Sequence, residues 1–160
     1  MKGKLTHIDM DGNASMVDVS TKGITKRSAT ATGKVRMKQE TMTLIQEARV
    51  KKGDVLSVAK LAGIMGAKKT SDLIPLCHPL AISSIDLNFI LRPEENALEI
   101  IATCQVYART GVEMEALTAV SISALAIYDM CKAVDRTMHL TDIRLIAKSG
   151  GQSGAFKNND

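Results

Sequence analysis

Residues 108–136, ARTGVEMEALTAVSISALAIYDMCKAVDR, carry the pattern that decides the fold. Apolar residues fall almost all the way round its helical wheel, and a helix of that kind is buried on every side, so the core is expected to form around it. Thr110 and Gly111 lead in, Glu113 and Glu115 suit the positive N-terminal end of the helix dipole, and Lys132 and Arg136 suit the negative C-terminal end. At ~100° per residue, Thr118, Ser121, Asp129, Lys132 and Arg136 share an arc of roughly 80°, while Leu117, Val120, Ala124, Tyr128 and Cys131 face elsewhere. A buried helix with a polar seam needs a reason for it, because burying an acid and a base costs free energy unless they are paired or face a wet cavity. An ordinary exposed pair at i, i+3 contributes only about a few tenths of a kcal/mol. Ala126, Ile127, Met130, Ala133 and Val134 leave little room for such a solvated face, so Asp129 and Lys132 are read as members of a site.

Upstream, residues 1–20 are turn-rich. Asp9, Asp11 and Asn13 imitate a calcium loop, but Gly12 comes too early and Ser20 stands where a closing glutamate is needed. A basic entry through Lys22, Lys26 and Arg27 leads into a strand with Ala29, Ala31, Gly33, Val35 and Met37 on one face; small residues there imply close packing against it. Residues 39–50 read as a short helix through Met42, Ile45 and Ala48, ended by Lys51-Lys52-Gly53. Asp54 then caps a second helix, expected to bury Val58, Leu61, Ala62 and Met65 and to run to about Lys69. Pro75 and Pro79 bracket Leu76, Cys77 and His78 and force extended backbone, holding the imidazole on a stiff loop. Ile85 to Leu91 and Leu98 to Val106 alternate about the turn Arg92–Asn96 as a hairpin, and Thr141 to Lys148 alternates as a last strand. The expected class is α+β: a ferredoxin-like β-α-β-β-α-β antiparallel sheet with helices on one face and an extra helix in the first crossover. No linker or repeat divides residues 1–160, which read as one domain, with 1–15 and 155–160 expected to be flexible. Ile90, Ile101, Tyr107 and Ile146 on the uncovered face suggest an oligomer contact.

The 160 residues suffice for a core burying about 70% of the unfolded surface. Aromatic residues make up only 2%, so that core is aliphatic and rich in Met. Cys77, Cys104 and Cys131 lie far apart, without zinc-ligand or disulfide-framework spacing. No apolar run of signal-peptide length opens the chain, and the longest apolar helix carries Asp129 and Lys132. A cytoplasmic protein without membrane contact is expected. The net charge of +4 points to an anionic partner. The strands that would stack bases offer Ala29, Ala31, Ile143 and Leu145 instead of aromatics, which argues against nucleic acid.

The polar groups without a structural duty are Asp18, Arg27, Lys52, His78, Arg109, Glu113, Glu115, Asp129, Lys132 and Lys148. Cations beside a histidine and carboxylates suit a polyphosphate substrate undergoing proton transfers, and Lys148-Ser149-Gly150-Gly151 could offer backbone N–H groups as a weak phosphate nest. The runs MVDVS (16–20), KGDVL (52–56), LIPLCHPL (73–80), TGVEMEALTA (110–119), IYDMCKA (127–133) and KSGGQSG (148–154) closely resemble those of the molybdenum cofactor biosynthesis protein C family, the cyclic pyranopterin monophosphate synthases. The resemblance covers roughly residues 5–157. It implies a cytosolic homohexamer, a trimer of dimers with sites at subunit interfaces, converting 3',8-cyclo-7,8-dihydroguanosine 5'-triphosphate to cyclic pyranopterin monophosphate and pyrophosphate. By motif it implies catalytic Asp129, Lys132 and Lys52, with substrate contacts at Leu76, Cys77, His78, Met114 and Glu115. Asp18, Arg27, Arg109, Glu113 and Lys148 join the site on charge and motif together. No cofactor and no dedicated metal site are expected; Mg²⁺ is the one ion that could accompany the triphosphate. The main rival from another class is a nucleic-acid-binding module, which those aromatic-free strands disfavour, and the second is a catalytically dead oligomeric nucleotide sensor.

Overall fold

The computed structural model describes residues 6–48 and 54–158. In chain order they form β1 (Thr25–Arg36), α1 (Gln39–Gln46), α2 (Val55–Lys68), α3 (Thr70–Leu73), β2 (Ser84–Arg92), β3 (Ala97–Ala108), α4 (Glu113–Cys131), β4 (His139–Ser149) and β5 (Phe156–Lys157). The strands form one antiparallel sheet in the order β2-β3-β1-β4-β5. A single 3-10 turn, Pro93–Glu95, joins β2 to β3, and Asn96 closes it in the left-handed region at φ 48°.

β1 is central because its inner face is small. Ala29, Ala31 and Val35 pair in register with Cys104, Ala102 and Leu98 of β3, and all six are essentially inaccessible. α4 packs over β1, β3 and β4 through Ala116, Ala119, Val120, Ala124, Ile127 and Cys131, which are buried to the same degree. The packing inferred from the small residues of β1 is therefore present. The expected helix over 108–136 is shorter at both ends. Residues up to Ala108 continue β3, and Val112 precedes the first helical turn. Nor is α4 buried on every side, since Leu125 is 54% and Met114 37% exposed. It is long and apolar enough by length and composition to cross a membrane, but 56% of that window is buried inside this fold.

α2 carries a clear correction. Val58, Leu61 and Met65, expected inside, are exposed, and Val55, Ala59, Gly63, Gly66 and Ala67 are buried instead. The reason is the closeness of α2 to α4, which only small residues permit, and small residues leave no apolar signature in a hydropathy pattern. A Cβ on Gly63 would lie 2.8 Å from Leu87 Cδ1, 2.9 Å from the Ala119 carbonyl oxygen and nearer still to Ser123 Oγ. That hydroxyl is already committed, donating to the Ala59 carbonyl at 2.9 Å. Asp54 caps α2 as expected, accepting from the N–H groups of Leu56 and Ser57. α1 stops at Gln46, short of Ala48, which turns out at φ 52°. Beyond Ser149, where the sequence offered only a glycine-rich tail, Phe156 and Lys157 return to pair with Lys148 and Ala147.

Several polar groups lie inside this frame, Thr32, Thr70, Ser123 and Asp135 among them. Asp135, 1% exposed, accepts from Lys38 N–H at 2.9 Å, Thr41 Oγ at 3.2 Å, Thr137 N–H at 2.9 Å and Thr137 Oγ at 2.7 Å. Burial alone pushes its carboxyl upward, but these donors outweigh it and hold the pKa at about 2, below the ordinary 3.8.

Gly63→Ala is expected to lower unfolding free energy by ~1–3 kcal/mol through overpacking. Gly23→Ala, whose added methyl meets nothing within 4 Å, should leave urea unfolding almost unchanged. For Asp135 the folded-state pKa is depressed, so its contribution is complete above the unfolded value of 3.8 and is lost as pH falls toward 2. Asp135→Asn should therefore cost about 2 kcal/mol at neutral pH, and the gap to the parent protein should shrink in urea titrations toward about pH 2.5.

Candidate active site

Four segments meet at one end of the sheet: the proline-bracketed loop before β2, the turn between β3 and α4, the start of β1 and the turn after β4. Leu76, Cys77, His78 and Leu80 from the first, and Thr110, Gly111, Glu113, Met114 and Glu115 from the second, line a cleft of about 230 Å³ together with His7. The loop takes this shape because Ile74 before Pro75 is extended, at φ −110° and ψ 107°, and a turn then closes with Cys77 N–H donating to the Ile74 carbonyl. An adjoining cleft of about 370 Å³ shares His78, Leu80 and Thr110 and adds Arg109. A third, of about 390 Å³, is lined by Lys22, Gly23, Thr25, Arg27, Gly151, Gln152 and Ser153.

These clefts are tied together by charge. Lys148 Nζ pairs with Glu113 at 2.8 Å and reaches Ser153 Oγ at 3.4 Å. Arg27 donates to the carbonyls of Ala108 and Arg109, at 3.1 and 3.0 Å, fastening β1 to the turn that opens α4. Gly150 and Gly151 have φ of 93° and 76°, and a side chain on either would run into the backbone of Lys26 or the guanidinium of Arg27. The glycines are thus required for the close approach of the KSGG turn to Arg27. Asp18 caps its own turn by accepting from Ser20 N–H at 2.8 Å. That bond chiefly lowers its pKa, and His78 adds a smaller electrostatic pull.

Glu115 is the unusual member, only 4% exposed. Burial pushes its carboxyl above 4.5; its own backbone N–H opposes this and Glu113 adds to it. Cys77 and Cys104 are raised by burial first and by Glu115 second, Cys104 to about 12. Neither thiol is a ready nucleophile. Glu115 by contrast holds a proton more readily than a surface carboxylate does.

Leu76, Cys77, His78, Arg109, Glu113, Met114, Glu115, Arg27 and Lys148 therefore all reach this end of the molecule, with Asp18 near His78. Asp129 and Lys132 do not. Fourteen helical residues separate Glu115 from Asp129, which at the α-helical rise is ~21 Å. They form an ion pair at 2.7 Å with side chains 59% and 52% exposed, so the expected buried pair is open on this chain. The polar seam is divided, with Thr118 buried and Asp129, Lys132 and Arg136 in the open. The Asp129 hydrogen bond and charge raise the Lys132 pKa, opposite to the direction a lysine base requires. Lys52 lies outside the described residues. Sequence reasoning did not place Lys22, Thr25, Gln152, Thr110 or His7 in a site. Lys22 had a usable signal, sharing the basic run that contains Arg27, whereas the others are ordinary polar residues brought in by the turns.

An α+β fold whose clefts are walled by cations, a histidine and a buried carboxylate suits the class of small-molecule enzymes that act on anionic substrates. The profile described as the MoaC family matches residues 16–151. A protein of Chloroflexus aurantiacus named cyclic pyranopterin monophosphate synthase is 59% identical over 154 residues, covering 96% of this chain and 94% of its own length. Proteins of the same name from Dinoroseobacter shibae and Clostridium perfringens are 60% and 56% identical, covering 96% and 98% of this chain and 97% and 99% of their own. The chain belongs to the MoaC family.

Glu115 yields a pH prediction. Its folded pKa is raised, so ionising it above pH 4.5 penalises the folded state, and the penalty disappears below the unfolded value. Glu115→Gln, which imitates the neutral acid, should melt at a higher temperature than the parent at pH 7.5, with the difference closing at about pH 4. Differential scanning calorimetry at both pH values is the check.

Proposed function

We propose that the protein is a cyclic pyranopterin monophosphate synthase, the relatives' named activity. It is a cytoplasmic lyase of molybdenum cofactor biosynthesis that converts 3',8-cyclo-7,8-dihydroguanosine 5'-triphosphate to cyclic pyranopterin monophosphate with release of pyrophosphate. The fold is read as ferredoxin-like. The order β2-β3-β1-β4 and the packing of α2 beside α4 support this, with β5 as an added edge.

The observation that carries the reading is the division of the family motifs along α4. His78, Arg109, Glu113, Glu115 and Lys148 gather at its N-terminal end, and Asp129 and Lys132 project at the other. A complete reaction centre then joins the N-terminal end of one copy to the C-terminal end of another, in a homohexamer. The exposed Val58, Leu61, Met65 and Leu125 support an apolar contact between copies, as does Tyr107 on the open face of the sheet.

In this assembly Arg27, Lys22, Lys148 and Arg109 neutralise the triphosphate with His78, and Gly150 and Gly151 present backbone N–H groups to it. Lys132 and Lys52 move protons while Asp129 orients Lys132. Cations from a second copy supply the downward pKa shift that the isolated pair lacks. Ring opening, pyranopterin closure and attack of a sugar hydroxyl on the α-phosphorus involve no net oxidation, so no resident redox cofactor is needed. Mg²⁺ enters only with the triphosphate.

Incubation with the cyclised dihydro-GTP substrate should release pyrophosphate and give a product that oxidises to a fluorescent pterin. A protein that binds this nucleotide and releases nothing would be a sensor instead. Asp129→Asn should lose several orders of magnitude in turnover with little change in melting temperature, because the pair it breaks is exposed. Asp129→Asn and His78→Ala proteins, each inactive, should recover activity when co-refolded, up to roughly a quarter of the parent's for a randomly mixed assembly. No recovery with soluble mixed oligomers would mean that the two ends of α4 do not meet across copies.

A further inference from the structure

Asp135 is used by nothing in the scheme above, yet its one buried carboxylate accepts from four donors. Two of the donors belong to the start of α1. Lys38, at the cap position of that helix, makes no side-chain cap bond of its own, so Asp135 caps α1 from 97 residues away. The other two donors belong to Thr137, on the way into β4. The Asp135 N–H also donates to the Cys131 carbonyl at 3.1 Å, closing the last turn of α4. Lys132, three residues earlier, caps that same turn through its N–H on the Tyr128 carbonyl.

One carboxylate therefore ties the turn carrying Asp129 and Lys132 to α1, which ends six residues before Lys52. Thermodynamics gives weak grounds for a buried charge here, because an apolar contact of similar volume commonly stabilises as well or better. What four directed hydrogen bonds add is a fixed rotation and depth of one helix end relative to the other.

We propose that Asp135 is a positioning residue for the reaction: it sets the last turn of α4, and so Asp129 and Lys132, against α1. The inference rests on the catalytic reading of Asp129 and Lys132 above. In the proposed assembly the groups assigned to hold the triphosphate come from the other end of α4 in another copy, so disturbing this clasp displaces the proton-transfer groups and acts chiefly on turnover.

The test is steady-state kinetics on Asp135→Asn, well below its melting temperature, with circular dichroism and light scattering confirming fold and assembly. Asparagine preserves shape but turns an N–H₂ group toward two of the donors. A fall in kcat of ~10- to 100-fold is expected with KM within about threefold, the scale of a small misplacement of catalytic groups. Leu87→Ala, a buried truncation on β2, provides a destabilised control and should keep kcat within about twofold at a temperature where both proteins are folded. If Asp135→Asn does not fold, Thr41→Val removes one α1 bond and keeps the carboxylate. It should lower kcat by roughly fivefold or more with KM unchanged, and Thr41→Ser should restore it. Normal kcat in folded Asp135→Asn or in Thr41→Val, or an equal loss in Leu87→Ala, overturns the proposal. If Asp129→Asn also turns over normally, the catalytic reading beneath it fails as well; an inactive Asp129→Asn confines the failure to Asp135.

Discussion

The closeness with which α4 is held is the constraint on which the rest of this structure depends. On one side it lies against β1, where Val120 meets Gly33, and on another against Ala59, Gly63 and Gly66 of α2. Its own contact residues are mostly small, Ala116, Ala119, Ser123 and Ala124 among them. Interiors at crystal-like density transmit a shift of this kind directly, so the rise of the helix and its direction are set within narrow limits. Everything carrying charge is then attached to one of its two ends.

That arrangement gives the two ends different electrostatic characters. The first turn carries Glu113 and Glu115, suited to the positive end of the dipole, but burial raises the Glu115 pKa and Lys148 pairs with Glu113. At the last turn, Lys132 is suited to the negative end and paired with Asp129 in the open. A helix rigid enough to bear both sets keeps them ~21 Å apart within one chain. In the proposed assembly the same rigidity becomes useful, because each copy presents one finished half-site at each end. Asp135, just beyond the helix, holds the second half against α1.

The apolar surface left over follows from the same packing. Because α2 offers α4 its small residues, Val58, Leu61 and Met65 are left exposed. On the open face of the sheet, polar bonds between Thr30 and Thr103 and between Arg92 and Glu99 alternate with half-covered Ile90, Ile101 and Ile146. These are surfaces through which the proposed assembly can bring further copies into contact.

Local rules made much of this legible in the amino-acid order. Strand alternation located the faces of β1 and β3, Asp54 announced the start of α2, and Pro75 and Pro79 held His78 on a stiff loop, because each depends on neighbours in the chain. The motif runs likewise marked Leu76 to His78 and Met114-Glu115, which the fold brings to one cleft. Three features depended on tertiary structure. Which face of α2 is buried was decided by how near α4 comes, a distance that glycine and alanine permit without announcing it. Whether the Asp129–Lys132 pair is buried was decided by what covers that side of α4, and in this chain the two side chains stay more than half exposed. The duty of Asp135 was decided by partners 94 and 97 positions away. A sequence window registers spacing along one helix, whereas a buried carboxylate is stabilised by whichever donors the fold happens to turn toward it.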